Sequence, residues 1–446
     1  MRYVFPEGLY VDVRIEHLFS TRITYTFKML DECKVREYDA AFIRLFDGER
    51  WYYACTSDLD AIQAEIDALA KLTTGKIGLY DMPIYKNFSA EKGKKLAFTG
   101  HEVKNVPLDK KVALLQSLMP FVEHNRYIKL WRLTYLDEYK VKEYYNSKGA
   151  ELSWDFQRTG FQAGFQMAHE DRQFREAFPM GKTRFDELCG FEDDFTKHIE
   201  ECERYLLESE AVEPGVYPIV VAPVVTGVFA HECFGHKSES DFMIGDEETK
   251  KEWMLGKRVG PDNLTIIETG LEPGSGYVPF DDEGNAATKT YLVQNGILTG
   301  RLHNADSAAD LGEGVTGNAR AMNFEYPPIV RMTTTYIDGG TQTVDELIAG
   351  TENGIYVKSV SHGSGMSTFT LAPSLAYYIK DGKLGKPVRI SVISGNVFKA
   401  LSDIDGIADD LKLLSFVTGG CGKMDQFPLS VGFGGPHIRI QNMQVQ

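Results

Sequence analysis

The chain has 446 residues, of which 43% are hydrophobic and 25% charged, and its formal net charge is −16 at pH 7. This length allows large buried cores and predicts two domains. The acidic charge argues against direct nucleic-acid binding, which needs clustered Lys and Arg, and no apolar run is long enough to predict a membrane-spanning helix.

The N-terminus and the cysteines predict a cytoplasmic location. The first residues, Met1 to Gly8, contain no sustained apolar stretch of the kind found in export signals. The six cysteines are widely spaced and form no Cys-x-x-Cys pair, which is typical of reduced thiols.

Residues 1–210 are predicted to form an N-terminal α+β domain. Alternating apolar residues indicate strands at residues 10–15, 21–27, 41–46, 51–55, 127–135, 141–145 and 152–156. Apolar stripes predict a helix from Leu59 to Leu69 with Ser57 as its cap, and a second helix around Leu108 to Met119. Because strands followed by a helix recur, a repeated unit is expected.

Residues 211–446 are predicted to form a β-rich C-terminal domain. A third helix, striped by Phe195, Ile199, Cys202 and Leu206, precedes a boundary rich in Pro and Gly. Beyond it, Tyr217 to Ala230 reads as a buried strand that runs into an apolar helix. Most of the remainder alternates short strands with glycine turns.

A run of polar residues follows that helix and supplies the chemistry of a zinc hydrolase. His231 and His236 are potential metal ligands, and Glu232 is placed to take a proton from a water molecule that the metal activates. On an α-helix, however, five steps of about 100° separate the two imidazoles by about 140°. Either the helix widens here into a π-bulge, or it ends near Gly235 and lets His236 swing back.

A catalytic zinc usually has three protein ligands and one open position. Cys421 could be the third ligand, because its thiolate suits zinc and the glycines around it let the backbone approach closely. Glu239 is a competing ligand, or a carboxylate that supports one. Cys233 is interpreted as a core residue on the apolar helix.

An ordered series of motifs resembles the TldD/PmbA family of zinc metallopeptidases. The motifs are His231–His236 with Glu239 and Asp241, Phe280–Gly284, Asn295–Gly300, Thr316–Asn318, Pro328 with Arg331–Tyr336, and Cys421–Lys423. They span about residues 216–446, and the resemblance is weak over the N-terminal half.

The resemblance implies a fold and an activity. In that family the two histidines and a late cysteine bind zinc, which carries over to His231, His236 and Cys421, with Glu232 as the general base. It implies an α+β N-terminal domain, a β-rich metal-bearing C-terminal domain, and hydrolysis of short or unfolded peptides. A homodimer, or a heterodimer with a PmbA-like relative that lacks the motif, is the expected assembly.

Two local departures from the family pattern bear on substrate preference more than on the metal: Lys237-Ser238 after the second histidine, and Met424-Asp425 after the cysteine. The alternative function is a non-catalytic zinc-containing partner or scaffold of the same fold, with a gyrase-modulator type of role. In such a closed structural site, Glu239 or Cys233 would be the fourth ligand.

Overall fold

The computed structural model describes residues 2–73, 78–365 and 367–446. Within these ranges the N-terminal part contains long strands and short helices. The strands are β1 (Tyr10–Thr26), β2 (Met29–Phe46), β3 (Trp51–Thr56), β4 (Lys92–Lys95), β5 (Ile128–Asn146), β6 (Glu151–His169) and β7 (Arg172–Lys182). The helices are α1 (Ile62–Ala70), α2 (Pro83–Asn87), α3 (Leu108–Ser117), α4 (Met119–Glu123) and α5 (Glu192–Glu208).

The strands β1 to β7 form one sheet, in which β3, β2, β1, β5, β6 and β4 are neighbours in that order and β7 also pairs with β6. Three strands followed by a helix therefore occur twice, as β1–β3 with α1 and as β5–β7 with α5. The two sets join where β1 pairs antiparallel with β5. This arrangement confirms the predicted α+β fold with a repeated unit.

Two local predictions in this region were wrong. The strands predicted at residues 127–135 and 141–145 are one continuous strand, β5, because the polar residues between them pair with β1 and β6 without interruption. The cap before α1 is Asp58, whose side chain accepts from the backbone N–H of Asp60, rather than Ser57.

The C-terminal part consists mainly of short strands. They are β8 (Glu210–Ala211), β9 (Gly215–Val221), β10 (Ile266–Thr269), β11 (Lys289–Gln294), β12 (Ile297–Leu298), β13 (Ala319–Arg320), β14 (Ile329–Val330), β15 (Thr334–Ile337), β16 (Asn353–Gly365), β17 (Thr368–Lys380), β18 (Lys383–Arg389), β19 (Ile393–Asn396), β20 (Ile404–Ile407), β21 (Lys412–Ser415), β22 (Cys421–Lys423), β23 (Gln426–Leu429), β24 (Gly432–Gly435) and β25 (Ile438–Val445). The helices are α6 (Pro223–Phe229), α7 (Glu247–Glu252), α8 (Ala305–Leu311), α9 (Val344–Ala349) and α10 (Val397–Ser402).

Two sheets dominate this part and enclose α6. One has the order β12-β11-β10-β15-β24-β21, and the other runs β16-β9-β25-β19-β17-β18-β8. Helix α6 lies close against β24: a Cβ built on Gly227 would be 2.5 Å from a ring carbon of Phe433 and 2.9 Å from the backbone nitrogen of Gly434. The glycine is needed for this close approach, which fixes the residues that follow α6 over the sheet.

The division into domains at residues 210 and 211 stays a prediction. Strand β8 spans this point and pairs with β18 of the C-terminal part. Among the described residues, no helix combines the length and the apolar character needed to cross a bilayer.

Candidate metal centre

The two histidines lie on a π-helical turn. After α6 the backbone widens over Ala230–Gly235, and the N–H of His236 donates to the carbonyl of His231, five residues earlier. A π turn brings residues five apart onto one face, as an α-helix does for residues four apart. Of the two alternatives raised by the spacing, the structure therefore has the π-bulge.

The structure brings His231, His236 and Cys421 together. Their potential ligand atoms all lie within 4.8 Å of one another, and Cys421 Sγ is 3.4 Å from His236 Nε2. Zinc bonds of about 2.0–2.1 Å to nitrogen and 2.3 Å to sulfur place tetrahedral N and S ligands about 3.6 Å apart. His231 Nδ1 is also buried without a hydrogen-bond partner among the described residues. Two imidazoles and a thiol at this separation fit a divalent metal.

The electrostatics of this group favour a thiolate. Burial raises the pKa of Cys421, but hydrogen bonds to His231 and His236 outweigh burial and lower it to about 5. Burial lowers the pKa of His236, and its contacts with Cys421 and Glu239 raise it to about 10. These contacts favour a thiolate on Cys421 paired with a protonated His236, and a bound metal would take the place of the His236 proton.

Glu239 supports a histidine instead of joining the three candidate ligands. It is fully buried, and its Oε2 lies 3.1 Å from His236 Nδ1, on the opposite side of the ring from Cys421. Lys423 Nζ lies 3.3 Å from the same oxygen and 2.6 Å from Asp241 Oδ1. A carboxylate on the second ring nitrogen orients a metal-binding histidine, so Glu239 has the geometry of a supporting group.

Sequence reasoning assigned no role to Lys423 or Arg331. On strand β22, Cys421 and Lys423 are two residues apart, so their side chains lie on the same face of the strand. The alternation of side chains along a strand could have indicated this from the sequence. The guanidinium of Arg331 donates to the carbonyl of Cys421 at 2.8 Å and to that of Gln426. These two cations fix the β22–β23 hairpin that carries the cysteine.

Glu232 directly follows His231 on the π turn. Its side chain is partly buried, and it makes no hydrogen bond or ion pair with any residue in the described ranges. Its Cγ would be 3.7 Å from a Cβ built on Gly363, so strand β16 passes next to it. The carboxylate is therefore available to accept a proton from a water molecule.

Cys233 belongs to the core. It is fully buried in the same hydrophobic cluster as Phe229 and Phe369, and burial raises its pKa well above the usual range. Within the described residues, the group of potential ligands contains His231, His236 and Cys421 but not Cys233.

Four side chains of the C-terminal part are chemically able to donate a hydrogen bond to an oxyanion, and they lie in different surroundings. His303 is buried in a network with Ser240 and Glu313, and His437 bonds to Asp410. Tyr336 is buried on β15. His362 is exposed on β16, next to the glycine that faces Glu232. Of the four, His362 is on the segment that passes beside the proposed base.

The motif Phe280–Gly284 joins the two halves of the chain. Asp282 lies 2.5 Å from Lys142 on β5, and Glu283 lies 3.0 Å from Arg44 on β2. Asp281 accepts the backbone N–H of Ala319 and two others in its own loop. This motif has a structural role, which the sequence alone did not reveal.

Comparisons with known proteins identify the family to which the chain is similar. A family model described as the PmbA/TldA metallopeptidase C-terminal domain matches residues 214–446. A metalloprotease of Synechocystis sp. is 44% identical over 52% of this chain, and the chain spans about half (50%) of that relative's length. A Saccharolobus solfataricus protein named zinc metalloprotease TldD homolog is 27% identical over 98% of this chain and 96% of its own length.

The fold is also found among solved structures. The crystal structure of TldE from Thermococcus kodakarensis matches with a TM-score of 0.78, covering 98% of this chain and 96% of that one at 14% identity. At this level of identity the likeness concerns the fold.

Proposed function

The chain belongs to the PmbA/TldD family of metallopeptidases, and from this premise we propose that it is a zinc-dependent peptidase that hydrolyses short or unfolded peptides. The observation that carries the proposal is the convergence of His231, His236 and Cys421, whose potential ligand atoms lie within 4.8 Å of one another. Glu232 follows His231 directly and has no hydrogen-bond or ion-pair partner among the described residues. Three ligands leave one position open, as catalytic zinc sites do, whereas closed structural sites have four.

His231, His236 and Cys421 would hold one zinc ion per chain. When bound, the metal supplies Lewis-acid chemistry, which lowers the pKa of a water molecule and polarises a carbonyl group. Glu232 takes the proton of the attacking water and can return it to the leaving amine. Glu239 holds the ring of His236 in place, and Lys423 holds Glu239.

The peptide is proposed to bind in the cleft between the two halves of the chain. This cleft has a volume of about 1270 Å³ and is lined by β7, by Val360 and Ser361 of β16, and by β21. Its described lining does not include the three candidate ligands or Glu232; the connection is β16, which also passes next to Glu232. Both β7 and β21 are edge strands of their sheets. An extended peptide can add to such an edge through main-chain hydrogen bonds, which tolerate many sequences.

A pair of variants tests the mechanism. In Glu232→Gln we expect the metal to stay bound while peptide cleavage falls by about 10²- to 10⁴-fold, the usual contribution of a general base. In Cys421→Ala we expect the metal itself to be lost. Elemental analysis and digestion of a peptide library, read by mass spectrometry, measure the two effects.

The matched control is Cys233→Ala, which removes a buried thiol two residues from His231 and should leave the metal in place. If Glu232→Gln cleaves peptides at the wild-type rate with its metal present, the assigned base is wrong. If zinc remains after Cys421→Ala but leaves after Cys233→Ala, the ligand set is wrong. If each of the two substitutions removes the zinc, both thiols are ligands and a closed site becomes the better description.

The assembly and location are proposals as well. We propose a homodimer, or a heterodimer with a PmbA-like relative, because Met424 and Phe427 on the cysteine hairpin expose 77% and 61% of their surface. Light scattering on the purified chain, with and without such a relative, measures the assembly. The six free cysteines support a cytoplasmic location.

A further inference from the structure

We propose that a second cavity, between the two halves of the chain, binds a small oxyanion that carries carboxylate or phosphate groups. The cavity has a volume of about 250 Å³. One wall is a face of the seven-stranded sheet, and the other is formed by residues 277–278, 282, 320–323 and 428–430. Five cationic and two anionic side chains line it, in a protein whose net charge is −16.

The register of the sheet explains why the charges meet. Ser20 on β1 is opposite Arg36 on β2 and Glu138 on β5, and Glu138 is opposite Arg158 on β6. Side chains two residues apart on a strand lie on the same face, so the residues two positions before or after these also line the cavity wall. The other wall residues of the sheet are Leu18, Tyr38, Lys140, Lys142, Trp154 and Phe156.

The two acids of the lining are already neutralised. Glu138 lies 3.0 Å from Arg158 and 3.5 Å from Lys140. Asp282 lies 2.5 Å from Lys142. Since each acid is occupied by cations of the same cavity, the remaining positive charge has no anionic partner in the lining.

Arg320 forms no ion pair with a carboxylate among the described residues. It is 6% exposed, and its guanidinium donates to the carbonyls of Met332 and Ser430, not to a carboxylate. Arg158 is 7% exposed, and its buried Nε has no hydrogen-bond partner among the described residues. A buried arginine that forms no ion pair, such as Arg320, is costly unless a partner supplies the opposite charge, and the Nε of Arg158 adds an unused donor.

Arg36 stands at the solvent-accessible side of the cavity. Its guanidinium stacks on Tyr38, 4.8 Å from the ring centroid, and forms no ion pair with the described part of the chain. Glu16 on β1, an acid in contact with two residues of this wall, is held by Lys140 and by the hydroxyl of Tyr38. Arg36 is therefore available to bind an entering anion, and its planar guanidinium matches the geometry of carboxylate and phosphate groups.

The size of the cavity limits the ligand. At about 30 Å³ per molecule it has the volume of about eight waters. Inorganic phosphate with a few waters fits, and so does a four-carbon dicarboxylate, whereas a nucleotide is too large. The inference goes beyond the proposed peptidase activity and does not depend on it.

Calorimetric titration of the full-length protein with inorganic phosphate and, separately, with succinate tests the proposal. Ionic strength is held constant with potassium chloride, because surface charges alone respond to salt. We expect one saturable site for at least one of the two anions. Phosphate alone would identify a phosphorylated ligand, and succinate alone a carboxylate.

Arg36→Gln should weaken that binding about ten-fold, as expected for the loss of one charge-assisted contact. Its control is Arg22→Gln, which removes an exposed arginine of the same sheet that pairs with Glu32 outside the cavity. Both positions are exposed, so both variants should fold. The proposal is overturned if neither anion shows saturable binding, or if Arg36→Gln binds as the wild type does.

Discussion

Adding one methyl group at Gly235 tests how the π turn is held. A Cβ built there would lie 2.0 Å from Met332 Sδ and 3.2 Å from Met332 Cε, and Met332 is fully buried. Ordinary contacts between such atoms are about 3.5–4.0 Å, so the turn or Met332 must move by about 1.5 Å. Overpacking of this kind costs about 1–3 kcal/mol. We therefore expect Gly235→Ala to lower the free energy of unfolding by about 2 kcal/mol.

Urea unfolding followed by circular dichroism measures this effect. The control is Gly314→Ala, because a Cβ at Gly314 meets nothing within 4 Å and its φ is not in the left-handed region. This substitution should be neutral or stabilise the protein by up to about 1 kcal/mol through the unfolded chain.

A double-mutant cycle separates the steric contact from other effects. Met332→Ala alone should cost about 2–5 kcal/mol, because it leaves a cavity. In the double variant the new methyl enters that cavity, so the two costs should fall short of additivity by at least about 1 kcal/mol. Additive costs, or a Gly235→Ala variant as stable as Gly314→Ala, would refute the packing argument.

Two further predictions concern buried carboxylates. Glu239→Gln should weaken metal binding about 10- to 100-fold while leaving the three ligands in place, because it replaces the charged acceptor that orients His236 with a neutral amide, a weaker acceptor. Competition with a chelator measures this, and unchanged affinity would contradict the supporting role. Burial raises the pKa of Asp282, but Lys142 and Arg14 outweigh it and lower the pKa to about 2 from 3.8. Because the folded pKa is depressed, this carboxylate stabilises the protein above pH 3.8 and loses that contribution as pH falls towards 2. Asp282→Asn should therefore lower the free energy of unfolding by about 3 kcal/mol at pH 7, and this loss should shrink as the pH falls below about 5. Urea unfolding at several pH values measures it, and a loss independent of pH would argue against the ion pair.

Local sequence determined much of this molecule. The apolar segment Tyr217–Ala230 predicted a strand and a helix, and the structure has β9 and α6 there. The five-residue spacing of His231 and His236 required either a π turn or an early helix end, and the structure has the π turn. Such features can be predicted from sequence because the backbone hydrogen-bonding pattern and the directions of the side chains depend on residues only a few positions apart.

The tertiary structure decided what the sequence could only suggest. Cys421 is 185 positions from His236, and their 3.4 Å contact depends on the hairpin that Arg331 and Lys423 hold. The sequence left Glu239 open between ligand and support, and only the tertiary structure shows that it contacts His236 Nδ1, the ring nitrogen that faces away from Cys421. No local pattern encodes these distances, because they arise from the order of strands in the sheets and from the packing of buried charges against one another.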